Sequence, residues 1–324
     1  MRSTILQIKN LTMPVFLEFV ELKTKVASVF PMLIGLLWSQ YHYQQLNWLN
    51  TILFMIAAIS FDMCTTAINN TMDYHKAVDM AYREEENVLG KHQLDFKEMV
   101  AIILALLLIS TFFSLLLVWR TDLALLPIGT LCFLIGIFYT FGPMPLSRLP
   151  LGELFSGVTM GFGIFFLAVY IQSPSDFLAT TWSLGGCLVT INWYVGETVR
   201  IFFMSIPLIC LIANIMLANN LCDYEQDLRN HRFTLVHYIS PKGGVLLYTV
   251  LSTIPWVVWL IYVGFGLLPL WALLGLILAL PFIKNLLRFR RAQVKSQTFI
   301  NSIKNFVLFS GLYVLVLFVA LWMK

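Results

Sequence analysis

The chain has 324 residues, of which 59% are hydrophobic and only 12% are charged, and its net charge is +4. Soluble domains contain roughly 45–50% apolar and about 25% charged residues, so this composition excludes an ordinary soluble protein. Apolar runs of about 20 residues recur, and each is long enough to cross a bilayer core. The sequence therefore predicts a polytopic membrane protein whose surroundings are lipid, with no nucleic acid among its partners.

Nine apolar segments predict nine transmembrane helices. They are 24–41, 49–69, 98–119, 122–141, 151–172, 200–219, 243–263, 266–285 and 303–323. The segment 176–196 is rich in Gly, Thr and Trp and lies between Asp176 and Glu197. We expect it to be an interfacial or partly buried loop, with a tenth span as the alternative. The N-terminal stretch lacks the apolar core and cleavage site of a signal peptide.

The basic residues predict the orientation. With nine spans, 18 of the 21 Lys and Arg residues lie on the side of the N-terminus, and only Arg120, Arg200 and Lys324 lie on the other. Loops rich in Lys and Arg stay cytoplasmic, so the N-terminus is expected to be cytoplasmic, in the plasma membrane. A tenth span would reverse every loop after residue 196 and remove this asymmetry. The five cysteines form no CxxC pair and predict neither a disulfide framework nor a zinc site.

A repeated motif occurs in two long polar loops of the cytoplasmic side. The pattern Asn-Asn-x-x-Asp-Tyr begins at Asn69 and again at Asn219, 150 residues later, each time at the end of an even-numbered span. Internal repeats of membrane helices commonly place a site at the interface between the repeats. The sequence therefore predicts a single domain, 1–324, with pseudo-repeat halves of about 1–150 and 151–324. The two motifs are expected to face one central cavity that opens to the cytoplasm.

Helical spacing indicates metal binding. Asn219, Asp223 and Asp227 fall at i, i+4 and i+8, which is one stripe of a helix, and Asn69 and Asp73 repeat the i, i+4 pair. Acidic residues crowded at a membrane helix end are costly without a cation. Carboxylate and amide oxygens suit Mg²⁺, which also takes phosphate oxygens from a substrate. Two such clusters predict two Mg²⁺ ions that bracket one diphosphate group.

Asp79 belongs to the first cluster only if the chain bends or unwinds after Asp73, because it lies off the stripe of a straight helix. The predicted metal ligands are thus Asn69, Asp73, Asp79, Asn219, Asp223 and Asp227.

These motifs resemble the two aspartate-rich motifs of the UbiA superfamily of intramembrane prenyltransferases. The segment Tyr139–Gly157, YTFGPMPLSRLPLGELFSG, resembles the branch that prenylates 1,4-dihydroxy-2-naphthoate, and so does Thr234-Leu235 after the second motif. The chain departs from the family pattern at Asn70, where many members have Asp, and at Cys222, where Arg is common. His231-Arg232 replaces a usual Gly-Lys pair and keeps the positive charge.

The resemblance implies an all-α bundle of nine helices and the transfer of a polyprenyl group to the naphthoate, giving demethylmenaquinol in menaquinone biosynthesis. Asp73, Asp223 and Tyr139 would be the catalytic residues, with Tyr139 facing the allylic cation unless it is only an interfacial aromatic residue. Asn70, Asp62 and Glu153 would line the substrate pocket, although Glu153 is also well placed as a helix N-terminal charge. Basic residues of the polar loops would bind the phosphates, unless they only set the membrane topology. They are Lys76, Arg83, Lys91, Arg229 and Arg232.

Three alternatives remain open. The acceptor is 4-hydroxybenzoate or another aromatic molecule in other members of the family. A secondary transporter would also carry repeats, but its polar groups would lie at the membrane midplane, whereas here they lie at helix ends. A non-catalytic scaffold leaves the repeated Asn and Asp residues unexplained.

Overall fold

The structure is a computed structural model that describes residues 11–77, 79–142, 145–183 and 188–323. It is a bundle of helices with one small hairpin. The principal helices are α1 (Met13–Phe19), α2 (Val26–Trp38), α3 (Trp48–Lys76), α4 (Val88–Lys91), α5 (Phe96–Arg120), α6 (Leu125–Thr140), α7 (Gly152–Ser156), α8 (Ile164–Tyr170), α9 (Val195–Cys222), α10 (Tyr224–Arg229), α11 (Leu235–Gly264), α12 (Ala279–Arg291) and α13 (Ile300–Trp322).

Shorter helical segments connect several of these. A π-helical stretch, Gly157–Gly163, joins α7 to α8, so that Gly152–Tyr170 forms one apolar segment. A 3-10 helix, Leu270–Leu278, leads directly into α12. The remaining short turns are Leu22–Lys25, Ser39–Tyr43, Tyr82–Glu86, Leu146–Arg148 and Pro174–Asp176.

Polar side chains start several helices where the sequence changes from loop to apolar run. Asn47 Oδ1 accepts a hydrogen bond from the Asn50 amide at the start of α3, and Asp95 Oδ1 accepts one from the Lys97 amide at the start of α5. Such N-caps satisfy amides that lack a partner within the helix. Within the bilayer the helix itself satisfies the other backbone groups, which is why apolar runs of this length become helices.

Each of the nine apolar segments contains a helix. Within the described ranges, seven helical segments are long and apolar enough to cross a membrane. The other two segments hold α2, with 13 residues, and α6, with 16. The chain is therefore a multi-pass helical membrane protein, and both the count of nine spans and the cytoplasmic N-terminus stay predictions.

The segment 176–196, which we expected to be an interfacial or partly buried loop, contains two paired strands among its described residues. Strand β1 (Leu178–Ser183) pairs antiparallel with β2 (Leu188–Trp193), and Thr180 lies opposite Ile191. The backbone amide of Thr180 also donates to Asp122 Oδ2 at 2.9 Å, which ties the hairpin to the turn between α5 and α6. Pairing satisfies the backbone groups that a loop would leave to water.

The centre of the bundle brings the two halves of the sequence together. Helix α3 packs on α5, α9 packs on α11 and on the Gly157–Gly163 stretch, and α2 packs on α8 and α13. A Cβ atom at Gly161 would lie 2.6 Å from the backbone nitrogen of Ile209, so glycine lets this stretch approach α9 closely. Small residues commonly permit such contacts between membrane helices. As a result, α3 and α9, which carry the two motifs, belong to one core.

Candidate active site

The two motifs lie near one another at the ends of α3 and α9. Arg232, in the loop after α10, places Nη1 3.6 Å from Asp227 Oδ1 and also interacts electrostatically with Asp73. Tyr82 likewise interacts with Asp73 of the first motif and Asp223 of the second. The Arg232 guanidinium and the Tyr82 phenol are thus both within electrostatic range of acidic residues that are far apart in sequence.

The second motif contacts a positively charged side chain. The ammonium of Lys295, from the loop between α12 and α13, donates to Asn219 Oδ1 and to Asp223 Oδ2, the latter at 2.5 Å. Helix α9 ends at Cys222, and Asp223 lies between α9 and α10 with φ −96° and ψ 9°. The single continuous helical stripe that we expected is therefore interrupted. The Asp227 amide still donates to the Asp223 carbonyl at 2.8 Å, which keeps the helical spacing approximately.

The first motif ends more abruptly. Helix α3 stops at Lys76, and Ala77 is extended, so the chain leaves the helix after Asp73 as its spacing requires. Asp73 Oδ1 lies 4.0 Å from Arg148 Nη2, and the Asn69 side chain hydrogen-bonds Asp73. Asp79 Oδ1 instead accepts from the amides of Ala81 and Tyr82, at 3.0 and 3.4 Å. Asp79 therefore caps the following turn, while Asn69 and Asp73 pair as oxygen donors of the first motif.

The second asparagine of each motif holds the scaffold. Asn70 Nδ2 donates to the Phe19 carbonyl at 2.8 Å, although we had placed Asn70 in the substrate pocket. Asn220 is fully buried and donates through Nδ2 to Glu153 Oε1, also at 2.8 Å. Glu153 is only 4% exposed, and this bond explains why it can enter the bundle. Both asparagines thus attach a motif helix to a neighbouring element.

The predicted basic residues have different surroundings. Lys76 Nζ reaches the Gly142 carbonyl at 3.4 Å, and Arg83 stacks over the Tyr74 ring at 4.6 Å. Lys91 Nζ pairs with Glu18 Oε1 at 2.7 Å, and Arg229 is exposed at the end of α10.

Of the predicted set, Arg232 contacts an acidic residue of the motifs directly. Neither Lys295 nor Arg148 was among the residues predicted to bind the diphosphate. Arg148 lies in the Tyr139–Gly157 segment and had a sequence signal, whereas Lys295 had none.

The bundle contains an apolar cavity of about 430 Å³. Residues of α3, α5, α6 and the Gly152–Tyr170 segment line it, and Tyr139 and Asp62 are among them. The Tyr139 hydroxyl donates to the Gly152 carbonyl at 3.3 Å, and its ring side chain interacts electrostatically with Arg232. The cavity therefore meets the charged site at Tyr139.

Asp62 forms a buried ion pair in the wall of this cavity. Lys25 Nζ lies 2.7 Å from Asp62 Oδ1 and 2.6 Å from the Thr66 hydroxyl, and the Ser28 hydroxyl donates to the second carboxylate oxygen. The Lys25 side chain is only 7% exposed. This partner gives Asp62 the compensation that a charge inside a membrane helix needs.

The donors of the site suit a divalent cation bound together with a substrate. Asp227 is 6% exposed, and its Oδ2 lacks a hydrogen-bond partner among the described residues. Burial raises the pKa of Asp227 to about 6, while Arg232 and Lys295 oppose this rise. Within the described ranges, no three His, Cys, Asp or Glu side chains converge as a closed metal cage. An open set is what Mg²⁺ uses when it keeps water and phosphate ligands.

Comparisons with known proteins agree with this arrangement. The model of the UbiA prenyltransferase family matches residues 28–310. The chain is 27% identical over 246 residues to the 1,4-dihydroxy-2-naphthoate octaprenyltransferase of Bacillus subtilis strain 168, covering 74% of this chain and 71% of that protein.

Solved structures of similar fold include a UbiA homolog from Aeropyrum pernix K1, with a TM-score of 0.68, 17% identity, and 90% and 98% of the two chains covered. A UbiA homolog from Archaeoglobus fulgidus, solved with GPP and Mg²⁺, has a TM-score of 0.57, 13% identity, and 95% and 99% covered. At these identities the likeness establishes the fold. The chain therefore belongs to the UbiA prenyltransferase family and is a multi-pass membrane enzyme of that family.

Proposed function

We propose that this enzyme transfers a polyprenyl group from polyprenyl diphosphate to 1,4-dihydroxy-2-naphthoate, giving demethylmenaquinol. The observation that carries the proposal is the junction of two unlike surfaces at Tyr139. On one side lie the acidic and basic residues of the two motifs, and on the other lies the apolar cavity. A molecule with a charged diphosphate head and a hydrocarbon tail needs both surfaces.

The chosen acceptor rests on two independent likenesses. The Tyr139–Gly157 segment resembles the naphthoate branch of the family, and the Bacillus subtilis relative is a 1,4-dihydroxy-2-naphthoate octaprenyltransferase. The Archaeoglobus fulgidus homolog was solved with GPP and Mg²⁺, which supports a prenyl diphosphate and a divalent cation for this chain also. The basic loops favour a site that opens to the cytoplasmic side of the plasma membrane.

The charged residues of the two motifs would hold the metal ions and the diphosphate. Asn69 and Asp73 would hold one Mg²⁺, with Asp79 nearby, and Asn219, Asp223 and Asp227 would hold a second. When bound, Mg²⁺ neutralises the charge that develops on the leaving diphosphate. Arg148 and Arg232 lie beside these acids and are placed to bind the phosphate oxygens in the same region.

Tyr139 and the apolar cavity act on the other half of the substrate. As the bond between carbon and diphosphate oxygen breaks, the allylic carbon becomes positive, and an aromatic ring face stabilises positive charge. The apolar walls exclude water, which would otherwise capture this carbon. The acceptor ring then forms the new carbon–carbon bond. Because demethylmenaquinol has no carboxylate, the carboxylate of 1,4-dihydroxy-2-naphthoate leaves as CO₂, and the electron pair of the broken carbon–carbon bond restores the aromatic ring.

The test is a transfer assay with purified enzyme, an all-trans polyprenyl diphosphate, Mg²⁺ and 1,4-dihydroxy-2-naphthoate, read by mass spectrometry. We expect prenylated product that disappears when the metal is removed by chelation. A parallel reaction with 4-hydroxybenzoate serves as the acceptor control. Turnover with that acceptor alone would replace the naphthoate assignment, and turnover without divalent metal would refute the metal sites.

A further inference from the structure

Lys295 contacts the second motif, although the proposed transfer reaction gives this lysine no role. Its ammonium reaches the second motif from a loop that is 72 residues away from Asp223 in sequence. It donates to the amide oxygen of Asn219 and to the carboxylate of Asp223, and the Asn219 amide group donates to the same carboxylate at 3.1 Å. The ammonium thus has two oxygen partners in the second motif, Asn219 and Asp223.

The loop that carries Lys295 is held by its own hydrogen bonds. The Thr298 hydroxyl donates to the Ala292 carbonyl and accepts from the Val294 amide, both at 2.8 Å. The Lys295 ammonium also lies 5.1 Å from the centre of the Phe299 ring. A loop with its own hydrogen bonds has less backbone entropy to lose when its lysine contacts the motif. The folded loop therefore places the Lys295 backbone beside the second motif, while 47% of the lysine side chain stays exposed.

The contacted atoms are the oxygen ligands that the proposed function assigns to the second Mg²⁺. A lysine ammonium and a metal ion cannot occupy the space between these oxygens together. Lys295 also leaves part of the motif unused, because the buried Asp227 Oδ2 has no partner among the described residues. The ammonium thus balances the motif only partially, as a monovalent cation with three donors would.

We propose that Lys295 is the resident cation of the second motif in the metal-free enzyme and is displaced from Asn219 and Asp223 when a divalent metal ion binds. This inference rests on the proposed metal-dependent function. Its consequence is competition: the metal must replace the ammonium, so metal binds weakly until diphosphate supplies further ligands. The displaced ammonium stays on its compact loop beside the site, where its charge favours the incoming diphosphate.

The first experiment measures Mn²⁺ binding to the purified full-length protein without diphosphate, by electron paramagnetic resonance. Lys295→Met should bind Mn²⁺ about tenfold more tightly than the unmodified protein, since a charged hydrogen-bonding competitor is gone. Lys284→Met is the matched control, because Lys284 is an exposed lysine of the preceding helix α12. It should leave the affinity unchanged. Equal or weaker Mn²⁺ binding by Lys295→Met would overturn the proposal.

The second experiment uses the unmodified protein and does not depend on a variant that folds. Lysines are acylated with a water-soluble reagent at increasing Mn²⁺, and the modified peptides are quantified by mass spectrometry. Lys295 should become several-fold more reactive over the range in which the metal binds, while Lys284 stays constant. If the reactivity of Lys295 does not change at saturating Mn²⁺, the metal does not displace the Lys295 ammonium and the proposal is wrong.

The two proposals fail in different ways. Metal-dependent prenyl transfer, combined with an unchanged affinity in Lys295→Met, would refute the role of Lys295 and leave the enzyme function intact. Prenyl transfer that needs no divalent metal would refute the metal-dependent function itself, and with it the basis of this inference.

Discussion

The two copies of the Asn-Asn-x-x-Asp-Tyr motif have the same pattern and share the positive charge of Arg232, but each also has a cation of its own. In the first copy, Asp73 faces the guanidinium of Arg148 at 4.0 Å. In the second copy, the Lys295 ammonium lies between Asn219 and Asp223. The first cation is an arginine near the outer limit of an ion pair, and the second is a lysine in direct contact. Identical motifs therefore begin from unequal states before substrate binds.

The scaffold role of the motifs is, by contrast, the same in both copies. Asn70 is bonded to the Phe19 carbonyl and Asn220 to the Glu153 carboxylate. The first and fifth positions of the pattern face the charged site, and the second position attaches the helix to a neighbour. Each copy of the motif therefore has two roles: its first and fifth positions belong to the charged site, and its second position stabilises the fold.

The largest expected effect comes from removing one carboxylate from each copy. Asp73→Asn and Asp223→Asn keep the size of the side chain but remove a negative metal ligand. Because metal ions contribute several kcal/mol of charge stabilisation, each variant should lose at least about a hundredfold in kcat. Steady-state assays at saturating Mg²⁺ measure this. Glu225→Gln, an exposed acid of α10, is the control that should retain activity. Normal turnover in either Asp variant would remove that copy from the mechanism.

The pH dependence of activity tests whether Arg232 acts on Asp227 of the second copy. Burial raises the pKa of Asp227 to about 6, so its carboxylate becomes available for metal only as the pH rises through that value. Activity at limiting Mg²⁺ should therefore increase through about pH 6. Arg232 opposes the rise in pKa, and Arg232→Met should move this limb of the profile upward by about one unit. Arg229→Met, at an exposed site, should not. An unshifted pH profile in Arg232→Met would show that Arg232 does not affect the pKa of Asp227.

The two scaffold asparagines should differ in their effect on stability. Asn220→Ala leaves the buried Glu153 carboxylate without its donor, and an unpaired buried group costs about 1–3 kcal/mol. Asn70→Ala removes a bond to a carbonyl at a less buried site and should cost about 1 kcal/mol. Thermal unfolding in detergent ranks the two. Glu153→Gln is the control, because its amide oxygen still accepts from Asn220. A larger loss for Asn70→Ala would reverse our comparison.

Much of the fold follows from the sequence, because the bilayer limits the choice of structure. The apolar run 49–69 predicted a span, and the helix is Trp48–Lys76. The extra turns are polar and carry the motif, so hydropathy stops where the helix continues. The hairpin at 178–193 was missed, although its Thr, Val and Ile residues favour a strand. That signal was weak beside the apolar character of the segment.

The site was predictable only in part, for a reason that the residues make clear. The repetition and the spacing of the motifs made their Asp residues predictable. The contact of Lys295 with Asp223 was not predictable, because it joins residues 72 positions apart through tertiary packing. Glu153 was predicted in the substrate pocket, but its bond to Asn220, across 67 residues, was not. Arg232 was found because it follows the motif directly. Neighbours in sequence are thus predictable, whereas neighbours created by helix packing require the structure.

The smallest effect concerns Lys91, which the sequence placed on the diphosphate. Its ammonium pairs with Glu18 at 2.7 Å, and both side chains are nearly half exposed. Lys91→Met should leave the KM for polyprenyl diphosphate unchanged, whereas Arg148→Met, beside Asp73, should raise it. The hydrogen bond from Lys91 lowers the pKa of Glu18 below its usual 4.5, so the pair stabilises the fold above that pH and is lost as the pH falls through the lowered value.

Exposure limits this stabilisation to below about 1 kcal/mol. Thermal unfolding at neutral pH should therefore show a slight loss in Lys91→Met, which becomes zero in acid because Glu18 is then protonated in both proteins. An increased KM in Lys91→Met without any loss of stability would return Lys91 to the active site. In that event the difference between the two copies would lie in the loop that follows α3 as well as in Lys295.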